Sequence, residues 1–269
     1  MHRTLVAAVA VVALIAPSAR PAEGDASAAR EAARSSGAPL VVIDPGHGGS
    51  NVGSMGLGGV DEERITLTVS RMLRRRLKLR GMEVALTRER NGYVTLSERV
   101  RRANAAGARL FLSIHGNTSP GHDARGVETY VAAHEVVDVA ADRAAAAEKD
   151  PVAAIRARAQ VRQVAADSER LARALQGRLV KVRDGDRGVR QHAWDVLDGV
   201  RCPAVLVEIG FIDHPVEGAE LLQAETLRRV ADALADGIGD FLAAPAAPPQ
   251  VLPAPRSRPV LRAAAGPRR

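Results

Sequence analysis

A chain of 269 residues and 28.3 kDa, 46% hydrophobic and 26% charged, has enough apolar surface for a full-sized folded domain, which excludes a disulfide-stapled miniprotein and a mostly disordered polymer. Aromatic residues make up only 2%, which argues against single-strand nucleic-acid binding and an aromatic-lined sugar groove. The net charge of +7 invites an anionic partner, but every basic residue except Lys78, Lys149 and Lys181 is an arginine in an alanine-rich chain, so the excess is read as compositional bias that sets solubility.

In chain order, residues 1–22 have the form of a secretory signal: Arg3, then the apolar run 5–15, then small residues. That run is well short of the roughly 20 residues needed to span a bilayer, so no stable membrane span is expected after cleavage. The mature protein is expected outside the cytoplasm, in a periplasm or at the cell wall. Residues 23–38 read as a solvated leader and 39–243 as one folded domain, an α/β fold with a mostly parallel central sheet flanked by helices. Residues 244–269, repeating Pro, Ala and Arg, read as a disordered tail.

Within the domain, 39–44 (PLVVID), 109–115 (RLFLSIH) and 204–209 (AVLVEI) are buried-type strands, and 82–88 and 126–132 are further members. Residues 62–79 place Ile65, Val69, Met72, Leu73 and Leu77 on one helical stripe ending at Gly81. Helices are also predicted over 97–106, with Ser97 as N-cap, over 168–180 and over 221–242. Residues 134–167, alanine-rich with a weak apolar stripe, read as a helical insertion. The single cysteine, Cys202, precludes an internal disulfide and reads as a small core residue.

Ligands of open α/β sheets bind beyond the carboxyl ends of the strands, and that criterion singles out few residues. His47 follows the first strand by a Pro-Gly turn, His115 ends the 109–115 strand and Glu208 closes the third. Imidazoles and a carboxylate suit zinc, with a fourth position left for water. The glycine-rich stretch 46–59 leads to Asp61, Glu62 and Glu63 at a helix start. Spacing leaves open whether one of these is a metal ligand or all three merely complement the helix dipole.

The motifs VVIDPGHGG (41–49), EERITL (62–67), LTR (86–88), ERVRRAN (98–104), LFLSIHGN (110–117), RGVETY (125–130), DRGV (186–189) and PAVLVEIGFIDHP (203–215) together resemble the zinc-dependent N-acetylmuramoyl-L-alanine amidases of the amidase type 3 family. The resemblance implies one catalytic zinc held by His47, Glu62 and His115, with Glu208 as the catalytic carboxylate that moves protons. It implies hydrolysis of the amide between the lactyl group of N-acetylmuramic acid and L-alanine in peptidoglycan, and no nucleic-acid partner. Secondary candidates are Asp44, to orient a metal ligand or stabilise the Pro-Gly turn, Asn117 and Glu128, to line the cleft, and Arg88 and Arg187, to meet stem-peptide carboxylates or serve structurally. The stretch 190–197 (RQHAWDVL) matches only loosely. Some relatives carry, where 134–167 falls, a helix that covers the zinc site until an activator protein displaces it; the resemblance and the weak apolar stripe suggest either a regulatory segment acted on by an activator, whose Glu135, Asp138 or Glu148 would approach the metal, or a plain surface excursion.

Overall fold

The computed structural model of the protein describes residues 23–245; residues 1–22, read above as a signal, and residues 246–269 of the expected tail lie outside that range. Six strands, β1 (Leu40–Pro45), β2 (Glu83–Leu86), β3 (Leu110–Asn117), β4 (Val127–Ala132), β5 (Asp186–His192) and β6 (Ala204–Phe211), form one sheet in the order β2-β1-β3-β6-β4-β5. All neighbours are parallel except β4 and β6, which run antiparallel. The expected α/β architecture is present, with one topological addition. Because β4 is reversed and β5 runs with it, the carboxyl ends of β1, β3 and β6 meet the amino ends of β4 and β5 at one edge.

The apolar runs become central strands because alternate residues can be buried on opposite faces. Val41, Ile43, Leu110, Leu112, Ile114, Val205, Val207 and Ile209 pack on one face with residues of α2 (Glu62–Leu79), α5 (Pro151–Leu179) and α7 (Ala224–Ala243). Leu40, Val42, Phe111, Ala204 and Leu206 pack on the other with Ala29 of α1 (Glu23–Ser36) and Ala103 and Ala106 of α3 (Leu96–Ala106). Continuing the same alternation places Asp44, Ser113, His115, Glu208 and Glu128 on this second face, which turns polar where the site forms.

Several boundaries differ from the sequence expectation. The first part of the leader, 23–36, is α1, whose buried Ala29 packs onto the second face of the sheet; alanine combines the best helix propensity with a side chain small enough for close approach. Thr95, rather than Ser97, caps α3, its side chain accepting from the Glu98 N–H at 3.2 Å. The helix expected over 221–242 is α7, which starts at Ala224, and a separate short helix absent from the sequence reading, α6 (Pro215–Leu221), precedes it across Leu222–Gln223. Strand β5 has no apolar run and escapes a pattern search; it is an edge strand that pairs only with β4.

The stretch read as an insertion followed by a helix from residue 168 is instead α4 (His134–Ala146) and the long α5, which passes through Ser168 without a break. Burial nevertheless begins there: the buried residues of α5 are Ser168, Leu171, Ala172, Leu175, Gln176 and Leu179. The earlier turns continue the helix because alanine and arginine favour it, while packing onto the sheet starts only at Ser168, whose Oγ accepts from the Ala204 N–H at 2.9 Å. Among the described residues, no helix is long and apolar enough to cross a membrane.

Candidate metal centre

The first turn after β1 carries His47 in a left-handed conformation, φ 61°, which costs energy for a residue with a Cβ. Two buried arginines hold three consecutive carbonyls around it. Arg88 donates from Nε to Pro45 O at 3.0 Å and from Nη2 to Gly46 O at 2.7 Å. Arg99 of α3 donates to Pro45 O at 2.7 Å and to His47 O at 2.6 Å. Arg99 is itself anchored on the buried Asp44 carboxylate at 2.6 Å, whose other oxygen accepts from Ser113 Oγ at 2.8 Å. Asp44 and Arg88 therefore support the backbone of the turn, and neither is available to a ligand or a substrate carboxylate. Gly46 is needed for close approach, since a Cβ there would lie 2.5 Å from Cε1 of His115.

Glu62 enters as the first residue of α2, with its backbone N–H bonded to Ser54 O at 3.0 Å. Successive helical residues point about 100° apart, so Glu62 faces the strand ends whereas Glu63 turns away to Arg88, 3.6 Å distant. Glu62 Oε1 lies 3.0 Å from His47 Nε2, from His115 Nδ1 and from the Gly116 amide nitrogen. Its Oε2 accepts from the Ser54 N–H at 3.0 Å. His47 Nδ1–H donates to Asn51 Oδ1 at 2.9 Å, which leaves Nε2 directed at the cluster; sequence reasoning gave Asn51 no role. Burial disfavours the Glu62 carboxylate, but the two imidazoles outweigh it and hold the group far below the usual carboxylate range. Burial likewise disfavours a charged His47, and Glu62 overcomes it to raise the imidazole pKa.

Among the described residues, His47, Glu62 and His115 form the one group whose ligand atoms could hold a metal, all within 4.8 Å of one another. Two ligand atoms on a tetrahedral zinc stand about 3.3 Å apart, close to the observed spacings, and the two-imidazole, one-carboxylate set has the chemistry zinc favours. The donor set fits. The acidic residues of 134–167 are not part of it; Asp138 instead meets Arg162 at 3.4 Å, binding α4 to α5.

Glu208 sits beside the cluster, paired in register with His115 on β3 and with Glu128 on β4. Its carboxyl is buried and Oε2 has no hydrogen-bond partner. Burial, then the neighbouring Glu62 and Glu128, push its pKa well above the ordinary carboxyl value. Glu128, also buried, is by contrast fully engaged: it accepts from Asn117 Nδ2 at 2.5 Å, Tyr130 OH at 2.9 Å and Arg187 Nε at 3.0 Å. The structure thus brings His47, Glu62, His115 and Glu208 together at one edge of the sheet, with Asn117, Glu128 and Arg187 in a network alongside. Cys202 is buried in the second-face core, away from this edge.

Residues 41–240 match the family model described as N-acetylmuramoyl-L-alanine amidase. The chain is 31% identical over 198 residues to the N-acetylmuramoyl-L-alanine amidase LytC of Bacillus subtilis, covering 73% of this chain but 34% of that protein. It is 32% identical over 202 residues to the uncharacterized protein YqiI of the same organism, covering 75% and 84%. It therefore spans about a third of the length of LytC but most of YqiI. Among solved structures, that of the N-acetylmuramoyl-L-alanine amidase AmiC2 of Nostoc punctiforme superposes with a TM-score of 0.62 at 28% identity, covering 76% of this chain and 97% of that one. With the family match running from β1 into α7, this chain belongs to the N-acetylmuramoyl-L-alanine amidase family.

Proposed function

We propose that this protein is a zinc-dependent peptidoglycan amidase that hydrolyses the bond between the lactyl group of N-acetylmuramic acid and the L-alanine of the stem peptide. The observation that carries the reading is the buried Glu208 carboxyl, with one oxygen unpartnered, next to a two-histidine, one-glutamate cluster. A buried polar atom without a partner is costly, and this one belongs to a residue paired in register with His115, where a proton must move. Bound by His47, Glu62 and His115, zinc supplies Lewis acidity, which acidifies water and polarises a carbonyl. Glu208 takes a proton from the attacking water and delivers it to the departing amine, which must leave protonated. In the metal-free protein burial raises its pKa, the direction that lets a carboxyl hold the proton it has taken until the amine departs. Asn51 orients His47, and the Arg88–Arg99 clamp holds the turn that presents it.

Export by the 1–22 segment fits a wall substrate. The exposed Val139, Val152 and Ile155 on the α4–α5 hairpin support an activator protein engaging 134–167. Since burial in α5 begins at Ser168, deletion of 134–167 is expected to leave a folded enzyme. The hairpin joins the domain between the carboxyl end of β4 and the amino end of β6, at the edge opposite the metal centre, so raised activity on deletion would show that it acts on the site from there, and unchanged activity would make it a surface excursion.

The test of the main reading is mass spectrometry of purified peptidoglycan fragments after incubation with the protein, with and without zinc, beside Glu208→Ala. Zinc-dependent release of free stem peptides, absent in the variant, is expected. Cleavage within the peptide or the glycan would overturn the assignment of the bond.

A further inference from the structure

Strand β5 brings two arginines to the site that the motifs alone do not pair. Arg187 Nε donates to Glu128 Oε2 at 3.0 Å, and Arg190 Nε lies 3.1 Å from the same oxygen. Arg190 Nε also donates to Arg187 O at 3.2 Å, and the Arg187 guanidinium lies over the Phe211 ring, 5.0 Å from its centroid. Each arginine thus fixes its inner edge against the protein. Their outer Nη groups make no hydrogen bond to any described residue, and the side chains are 33% and 46% exposed while Glu128 is 2% exposed. One buried carboxylate against two guanidiniums leaves one positive charge, carried by donor forks whose orientation is already set. That is the arrangement that binds a planar anion with little further loss of conformational freedom.

The register gives its place. His115, Glu208 and Glu128 lie in one row across β3, β6 and β4. Strands are about 4.8 Å apart, so the arginines over Glu128 stand about 10 Å from the strand of His115, the reach of two to three extended residues. In the proposed substrate the lactyl carboxyl is consumed in the scissile amide and the sugars are neutral, so carboxylates within that reach belong to the peptide. We infer that Arg187 and Arg190 form a subsite for a carboxylate carried by the second or third residue of the stem peptide. The inference rests on the amidase reading above.

The test compares kcat/KM of the zinc-loaded enzyme on two disaccharide-peptides that differ only in having the side-chain or α-carboxylates of residues two and three free or amidated. The wild type is expected to favour the free form by about tenfold, chiefly through KM, the worth of one charge-assisted hydrogen-bonded pair. Arg187→Gln and Arg190→Gln should bring the two forms to the same kcat/KM. Arg190→Lys, which keeps a charge against Glu128 and so protects the fold if the neutral variants fail, should still reduce the preference because an ammonium has no fork. Equal handling of both forms by the wild type overturns the subsite and leaves the amidase reading standing. So does an equal loss on both forms in the variants, which would make the arginines props for Glu128. Turnover of neither form by the wild type removes both readings.

Discussion

Arg99, on α3, donates to the backbone carbonyl of His47 at 2.6 Å while its other nitrogen is paired with the buried Asp44 at 2.6 Å. The left-handed turn that presents His47 is therefore held by a residue 52 positions away, through an ion pair with both side chains almost fully buried. Removing one partner of such a pair strands the other in a medium where it cannot be hydrated. Arg99→Met is expected to lower stability by about 3–5 kcal/mol, read from urea unfolding, and to weaken zinc binding as the turn loosens. A loss under about 1 kcal/mol would show that the pair is easily replaced by water.

Glu62 and Glu63 are adjacent, both buried and both at the start of α2, yet only Glu62 faces the two histidines. Glu62→Gln is expected to reduce zinc affinity by more than about 100-fold, beyond what loss of a supporting contact costs, in competition with a chromophoric chelator. Glu63→Gln removes the partner of Arg88 and is expected to lower stability while leaving a protein that binds one zinc. The opposite ranking of metal affinities would exchange the roles of the two residues.

Glu208 makes opposite contributions to activity and stability. Its folded pKa is raised, so in the metal-free protein its contribution to stability is full below the ordinary value of 4.5 and is lost as pH rises toward the folded value, because the native state then holds a proton that the unfolded chain releases. Glu208→Gln cannot ionise and escapes this loss. The variant is expected to lose about 10²- to 10⁴-fold in kcat while its melting temperature, relative to the wild type, improves from pH 4 to pH 7. A constant difference across that range would mean that Glu208 ionises in the fold as easily as in the open chain.

Burial pushes the Cys202 thiol up to about 12, and the thiolate is the reactive form. At pH 8 the native protein should therefore resist a disulfide reagent, with one thiol released on adding denaturant. Rapid labelling of the folded protein would place Cys202 at an opening of the second-face core.

The residues differ in how far they could be read before folding. Strands β1, β3 and β6 are continuous apolar runs, and α2 is a clean amphipathic stripe from Glu62 to Leu79, because burial on both faces of a sheet, or along one face of a helix, imposes a pattern on the chain itself. Strand β5 (DRGVRQH) imposes none: it borders the sheet, is bonded on one side, and is mostly exposed or half-buried. The helix through Ser168 showed a change of burial but no change of backbone, so the onset of packing was legible and the helix start was not.

The apolar strands and the chemistry placed at their ends, with histidines after β1 and within β3 and a glutamate inside β6, were legible along the chain because hydrophobic periodicity and strand termini are local properties. Spacing left Glu62 and Glu63 open and only the family resemblance favoured Glu62; what brings Glu62 rather than Glu63 to the histidines is the rotational phase of α2 against the sheet. The tertiary structure also turned Asp44 and Arg88 from candidate site residues into supports of the His47 turn. The reversal of β4 and β5 was likewise invisible: strand direction is set by which neighbours exchange hydrogen bonds, and that pairing, not any local pattern, lays Glu128 against Glu208 and carries Arg187 and Arg190 to the same edge.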